Sequence, residues 1–212
     1  MGLTTYQTQV QRLLHDTSAN FWPLAEITDY INEARNRVAQ DTKCLRQLVM
    51  GVSLTQGVEL YNPLTFLPSS INPYIIDVMA ITVYWGNTRR KLIYRSFTEF
   101  DIQYRSWNLL QSIPEAYTRM SPTIVYIGPM PDQTYTSDWE VAVNPTPLID
   151  NTTVDQIPNP FTESVQYYAA YKAKWKEQSI GEAEIFRKQY GQNLLMCARS
   201  WMTRLTPNPY AR

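Results

Sequence analysis

His15 is the only histidine among the 212 residues, and that removes most metal and acid–base chemistry from consideration. Multi-histidine metal centres are excluded, and a nucleophile would have one histidine base at most. His15-Asp16 closes a helical stretch, where a cation meets the negative end of the helix dipole, and that is its expected role. Seven glycines are present, none in G-x-G-x-x-G or G-x-x-x-x-G-K-[ST], so the common phosphate-cradling loops are absent from the sequence. Glu99 and Asp101 lie two apart on a short helix and point to different sides. Glu182 and Glu184 open the last helix, where they suit its positive end. No carboxylate pair is placed together for general acid and base work, as a glycosidase would need. The expectation is a chain that is not an enzyme, with no cofactor and no metal.

Charge and aromatic content point to contacts instead. Nineteen basic residues balance nineteen acidic ones, without the surplus of a protein that wraps nucleic acid. Two basic clusters stand out: Arg89-Arg90-Lys91 with Arg95, and a C-terminal group of Lys172, Lys174, Lys176, Arg187, Lys188, Arg199, Arg204 and Arg212. The expected reading is a solvated helix face; a nucleic-acid or acidic protein partner is the alternative. Fifteen Tyr and six Trp suit subunit interfaces, since they bury large area and keep a polar edge. Tyr167, Tyr168, Tyr171 and Trp175 read as helical core, yet positions 167 and 168 cannot share one stripe, so one of them faces a second interface. Tyr167, Tyr171, Arg89 and Arg90 are the candidate subunit-interface residues.

The elements that must carry these residues follow from periodicity. Tyr6, Val10, Leu13 and Leu14 predict a helix over about residues 4 to 15. Ile27, Tyr30, Ile31, Ala34 and Val38 predict a second after Pro23, which suits a first helical turn. From Leu48 to about Leu148, short β-branched and aromatic runs predict strands at 49–54, 58–61, 75–85, 91–95, 123–128 and 138–143. Gln56-Gly57 and Gly86-Asn87 are the expected hairpin turns. Ser96-Phe-Thr-Glu99 is a capping box predicting a helix from about 97 to 107. Asn159-Pro160 should cap a third long helix, Gly181 should end it or mark the turn after it, and Phe186, Tyr190, Leu194, Cys197 and Trp201 mark a fourth over about 182 to 204. The expected fold class is α+β: a four-helix bundle formed by residues 1–45 and 158–205, a central β-rich insertion at 46–157, and an extended tail at 206–212. Cys44 and Cys197 are expected as free thiols, and Asn151-Thr-Thr as a polar turn. No charged and apolar leader opens the chain, and no apolar run approaches the about 20 residues of a membrane span, so a cytoplasm-like compartment is expected.

Several stretches resemble one family. Trp22-Pro-Leu-Ala-Glu-Ile-Thr-Asp-Tyr-Ile-Asn32-Glu-Ala34, Val125-Tyr-Ile-Gly-Pro-Met-Pro-Asp132, Ile157-Pro-Asn-Pro-Phe161 leading into Val165-Gln-Tyr-Tyr-Ala-Ala-Tyr171, and Ala183 to Tyr190 are similar to segments of the tailed-phage head-to-tail adaptors, the gp4-like tail accessory and connector family. The resemblance implies a structural virion protein at the head-tail junction, assembled in the host cytoplasm with no membrane partner. It implies a ring of about twelve subunits closed by repeated heterologous contacts. Such a ring would bind the portal protein and a tail or nozzle protein, around a channel that passes double-stranded DNA during genome ejection. It also implies that the C-terminal segment docks on the portal, with Trp201, Arg204, Pro207, Pro209, Tyr210 and Arg212 as the docking residues. Another neck or tail-completion protein, or a sequence-independent nucleic-acid-binding module, is the competing expectation.

Overall fold

Apolar residues spaced three and four apart bury one side of each N-terminal helix in the computed structural model, which describes residues 1–66, 75–105, 111–121 and 123–202. Helix α1 (Leu3–Leu13) buries Leu3, Tyr6 and Val10, and α2 (Leu24–Thr42) buries Ile27, Ile31, Ala34 and Val38. Lys43 stops α2 in the left-handed region at φ 49°, where an amide hydrogen can return to the last turn. Two long helices lie near the other end of the chain, α4 (Thr162–Lys176) and α5 (Ile180–Met202). A short α3 (Phe97–Phe100) stands among the strands, followed by one π turn, Asp101–Arg105.

The strands are β1 (Arg46–Leu54), β2 (Leu60–Tyr61), β3 (Ile75–Trp85), β4 (Thr88–Lys91), β5 (Ile93–Tyr94), β6 (Gln111–Ser112), β7 (Ala116–Ser121), β8 (Ile124–Gly128), β9 (Met130–Pro131) and β10 (Tyr135–Val143). They form one sheet in the order β1-β10-β3-β4, a second in the order β2-β8-β7-β5, and the two-stranded pair β6-β9. The first is antiparallel throughout, whereas β5 meets β7 and β6 meets β9 in parallel. The chain divides into two compact units, Met1–Leu45 with Asn144–Arg212, and Arg46–Val143.

A four-helix bundle bearing a β insertion is therefore corrected: among the described residues there are five α-helices and three sheets. The strand unit has its own core, built on Trp139, Leu54, Ile81, Val125 and Ile127, all fully buried. Trp139 stacks edge-on against Phe66 at 4.8 Å and lies near Tyr61. Its indole N–H donates to Ser137 Oγ at 2.9 Å, and that hydroxyl donates to the Val52 carbonyl at 2.8 Å, so the polar atoms buried with the ring are satisfied. In the helical unit α4 is the shared element, with α1, α2 and α5 packed on it. Its Ala169, Ala170 and Ala173 are buried, and small side chains let neighbouring helices approach closely. Helix α5 packs chiefly on α4 and leaves Ile185, Leu195 and Met196 exposed. Helical spacing in α5 marks a helix, but not one enclosed by three others.

Local expectations shift for local reasons. Gly86-Asn87 is a two-residue hairpin, since Trp85 pairs with Thr88 and Gly86 has φ 56°. Gly57 also has positive φ, but the strands flanking it join different sheets, β1 on β10 and β2 on β8. Ser96 does cap α3, accepting from the Glu99 amide at 3.4 Å, yet regular α-helix ends at Phe100; residues 106–110 lie outside the described residues. Helix α4 starts at Thr162, and Asn159 instead accepts the Thr162 hydroxyl at 2.8 Å. The turn before α5 is made by Gln178 at φ 63°, and Gly181 falls inside the helix.

Candidate interaction surfaces

The polar groups of the helical unit converge on a buried ion pair. Arg35 Nε and Nη2 reach Asp155 Oδ1 at 3.1 and 3.0 Å, with side-chain exposures of 1% and 0%. The remaining guanidinium nitrogen donates to the Thr146 carbonyl at 2.8 Å and to Asn32 Oδ1 at 3.3 Å. The Tyr6 hydroxyl donates to Asp155 Oδ2 at 2.6 Å, and the Ile157 amide donates to Oδ1 at 3.1 Å. Burial, then the bond to Asp155, holds the Tyr6 phenol well above its ordinary range, so it stays a donor. Asn32 brackets Leu148, donating to its carbonyl at 3.0 Å and accepting from its amide at 2.8 Å. Buried charge survives only when paired and hydrogen-bonded on every side, and this cluster meets that condition.

Between those two clamps, residues 149 to 154 form a loop with its own internal frame. Asp150 Oδ1 accepts from the amides and hydroxyls of Thr152 and Thr153, at 2.8 to 3.0 Å. These bonds, the Thr152 hydroxyl foremost, hold the Asp150 carboxyl below its ordinary range. Asn151 Oδ1 accepts from the Thr4 amide at 2.8 Å, tying the loop to the first turn of α1. Two aliphatic side chains on this loop, Ile149 and Val154, are each 82% exposed.

The basic residues of α4 are spent within the unit. Lys172 pairs with Glu33 at 2.8 Å, Lys174 with Glu177 and Glu182 at 2.9 Å, and Lys176 with Glu26. Lys176 also lies over the Trp22 ring, 5.8 Å from its centre. The hydrogen bond from Lys176 is the main reason that the Glu26 carboxyl sits below its ordinary range. In α5, Arg187 pairs with Glu184 at 3.6 Å. A protein reading phosphates needs cations free to displace counterions, and these are committed to carboxylates. Glu182 and Glu184 thus pair with different cations, Lys174 and Arg187.

The sequence-predicted interface residues fall in different places. Tyr171 lies in a chain of rings, with Tyr168 at 5.6 Å and Trp175 at 6.0 Å, while Tyr168 also meets Tyr190 at 5.1 Å. Tyr190 donates to Asp41 at 2.8 Å. Tyr167 is half-buried. Arg89 and Arg90 both belong to the edge strand β4: Arg89 reaches Asp138 at 3.3 Å and lies over the Tyr84 ring at 5.1 Å, and Arg90 pairs with Glu115 at 2.8 Å. His15 takes φ 57° just after α1. Cys44 and Cys197 are free and half-buried. Trp201 falls in the last turn of α5, with its side chain outside the described residues, as are Arg204, Pro207, Pro209, Tyr210 and Arg212.

Arg35, Asp155, Ile149 and Val154 had no place among the sequence candidates. Asn32 was the nearest signal, inside the stretch from Trp22 to Ala34 that resembled a known family. The comparisons with known proteins agree with that likeness. A protein-family model described as SU10 adaptor protein matches residues 1–208. No curated protein matches the chain.

Proposed function

We propose, from the premise that this chain belongs to the SU10 adaptor protein family of phage adaptors, that it is the structural ring joining the portal vertex of the head to the tail. In this reading about twelve copies close the ring through one repeated heterologous contact. The ring surrounds a channel for double-stranded DNA and offers one end to the portal and the other to a tail or nozzle protein.

The observation that carries the reading is how side chains are allotted in the helical unit. The α4 lysines are paired to carboxylates of their own unit, while large aliphatic residues, Ile149, Val154, Leu195 and Met196, are exposed. Exposed apolar groups rimmed by polar ones mark contact with other proteins rather than with phosphates. Trp201, Arg204, Pro207, Pro209, Tyr210 and Arg212 are proposed as the portal-docking segment, with Tyr210 as aromatic anchor and the arginines steering the encounter.

Capsids that carry their portal but lack this protein provide the test. Added protein should bind them and appear in cryo-electron microscopy as a ring beneath the portal vertex. Full binding by a chain lacking residues 206–212 would remove the docking assignment, and failure of the whole chain to bind would remove the reading.

A further inference from the structure

The loop of residues 149 to 154 and the outer face of α5 are the two halves of one contact between copies, we infer, with Ile149 and Val154 of one subunit seated on Ile185, Leu195 and Met196 of the next. The inference rests on the ring reading above and names the surface by which the ring would close.

Three observations carry it. First, the loop is held before any partner arrives. Asn32 fixes Leu148, the Arg35–Asp155 pair fixes the other end, and Asp150 and Asn151 bond the tip internally and to α1. Aliphatic side chains at 82% exposure on so constrained a backbone lose little entropy on binding. Second, the two surfaces lie on opposite sides of α2. At about 100° per residue, Asn32 and Arg35 face one way, while Glu26, Glu33 and Arg37 face the other. The first pair holds the loop. Glu26 and Glu33 meet α4, on which α5 packs, and Asp41 on that same side accepts from Tyr190 of α5. Two different faces on opposed sides are what a head-to-tail contact requires. Third, the charges match. The loop's exposed charge is Asp150, held ionised by its threonine bonds. Ile185, Lys188, Leu195 and Met196 share one exposed stripe of α5, setting a cation beside the apolar seat.

Disulfide trapping tests the pairing in assembled protein, on portal-bearing capsids and in concentrated solution. In a Cys44→Ser, Cys197→Ser background, subunits carrying Val154→Cys mixed with subunits carrying Leu195→Cys should cross-link on mild oxidation. Either variant alone should not. Separately, Leu195→Asp with Met196→Asp, and Ile149→Asp with Val154→Asp, should each weaken self-association at least about tenfold while leaving the thermal midpoint unchanged, because all four residues are exposed. Oligomers that form without the cross-link, or that respond to only one of the two pairs, overturn this contact and leave the ring reading standing. A cross-link from Leu195→Cys to a portal subunit assigns the α5 face to the portal and overturns it equally. Absence of any oligomer in both settings overturns the ring and this contact together.

Discussion

Arg35 and Asp155 meet across 120 positions of sequence, with two guanidinium nitrogens on a single carboxylate oxygen. Removing one partner strands the other as a buried charge, which costs about 3–5 kcal/mol. Arg35→Ala and Asp155→Ala should each lower the denaturation free energy by that order. Their double mutant should lose much less than the sum, as a double-mutant cycle in urea would show.

Ser137→Ala removes the hydroxyl that joins the Trp139 indole N–H to the Val52 carbonyl. Both groups are buried, so leaving them unpaired costs about 1–3 kcal/mol. The loss should appear as a lower urea midpoint, with a changed near-ultraviolet dichroism from Trp139.

Gly128 lies against the ring of Phe100, where a new Cβ would stand 2.7 and 2.8 Å from two ring carbons. Phe100 is fully buried and cannot swing away. Gly128→Ala should destabilise the protein by about 1–3 kcal/mol, and Phe100→Leu should recover part of that loss. A thermal melt of the single and double variants decides the point.

The Glu26 carboxyl is held below its ordinary 4.5, mainly by its hydrogen bond from Lys176. A depressed acid contributes stability that is present above its unfolded value and lost as pH falls through its folded one. The contact should therefore support the fold at neutral pH and fade below about pH 4.5. In Lys176→Met the Glu26 carboxyl carbon should titrate higher by NMR, and stability should depend less on pH across that acid window.

These tests fall mainly where the sequence was silent. The period of about 3.6 exposed four of the helices, and the β-branched run from Ile75 to Trp85 marked β3 from end to end. Strand β7 carries Arg119 and Ser121 with a shifted register, so no alternating pattern survives to announce it. The predicted strand at 138–143 falls short of the start of β10, where Thr136 and buried Ser137 have a polarity that reads as loop until their partners are known. Side-chain periodicity told which residues leave solvent along each helix but not how many neighbours a helix has, and so α5 read as enclosed. The Arg35–Asp155 pair is a product of tertiary folding alone: an arginine on a helix and an aspartate in a loop carry no local signal of one another.

The irregular pairing of β1 acts on what the protein avoids. Between Val49 and Val52 the register on β10 shifts, and the Gly51 amide turns to Asp138 Oδ1 at 3.1 Å. Strand β1 is an outermost strand of its sheet, and a straight edge would recruit the same strand of another copy by backbone hydrogen bonds. A kinked edge spoils that templating. In a phage adaptor protein, an edge of this kind disfavours strand-by-strand polymerisation and leaves association to side chains, which choose their partners.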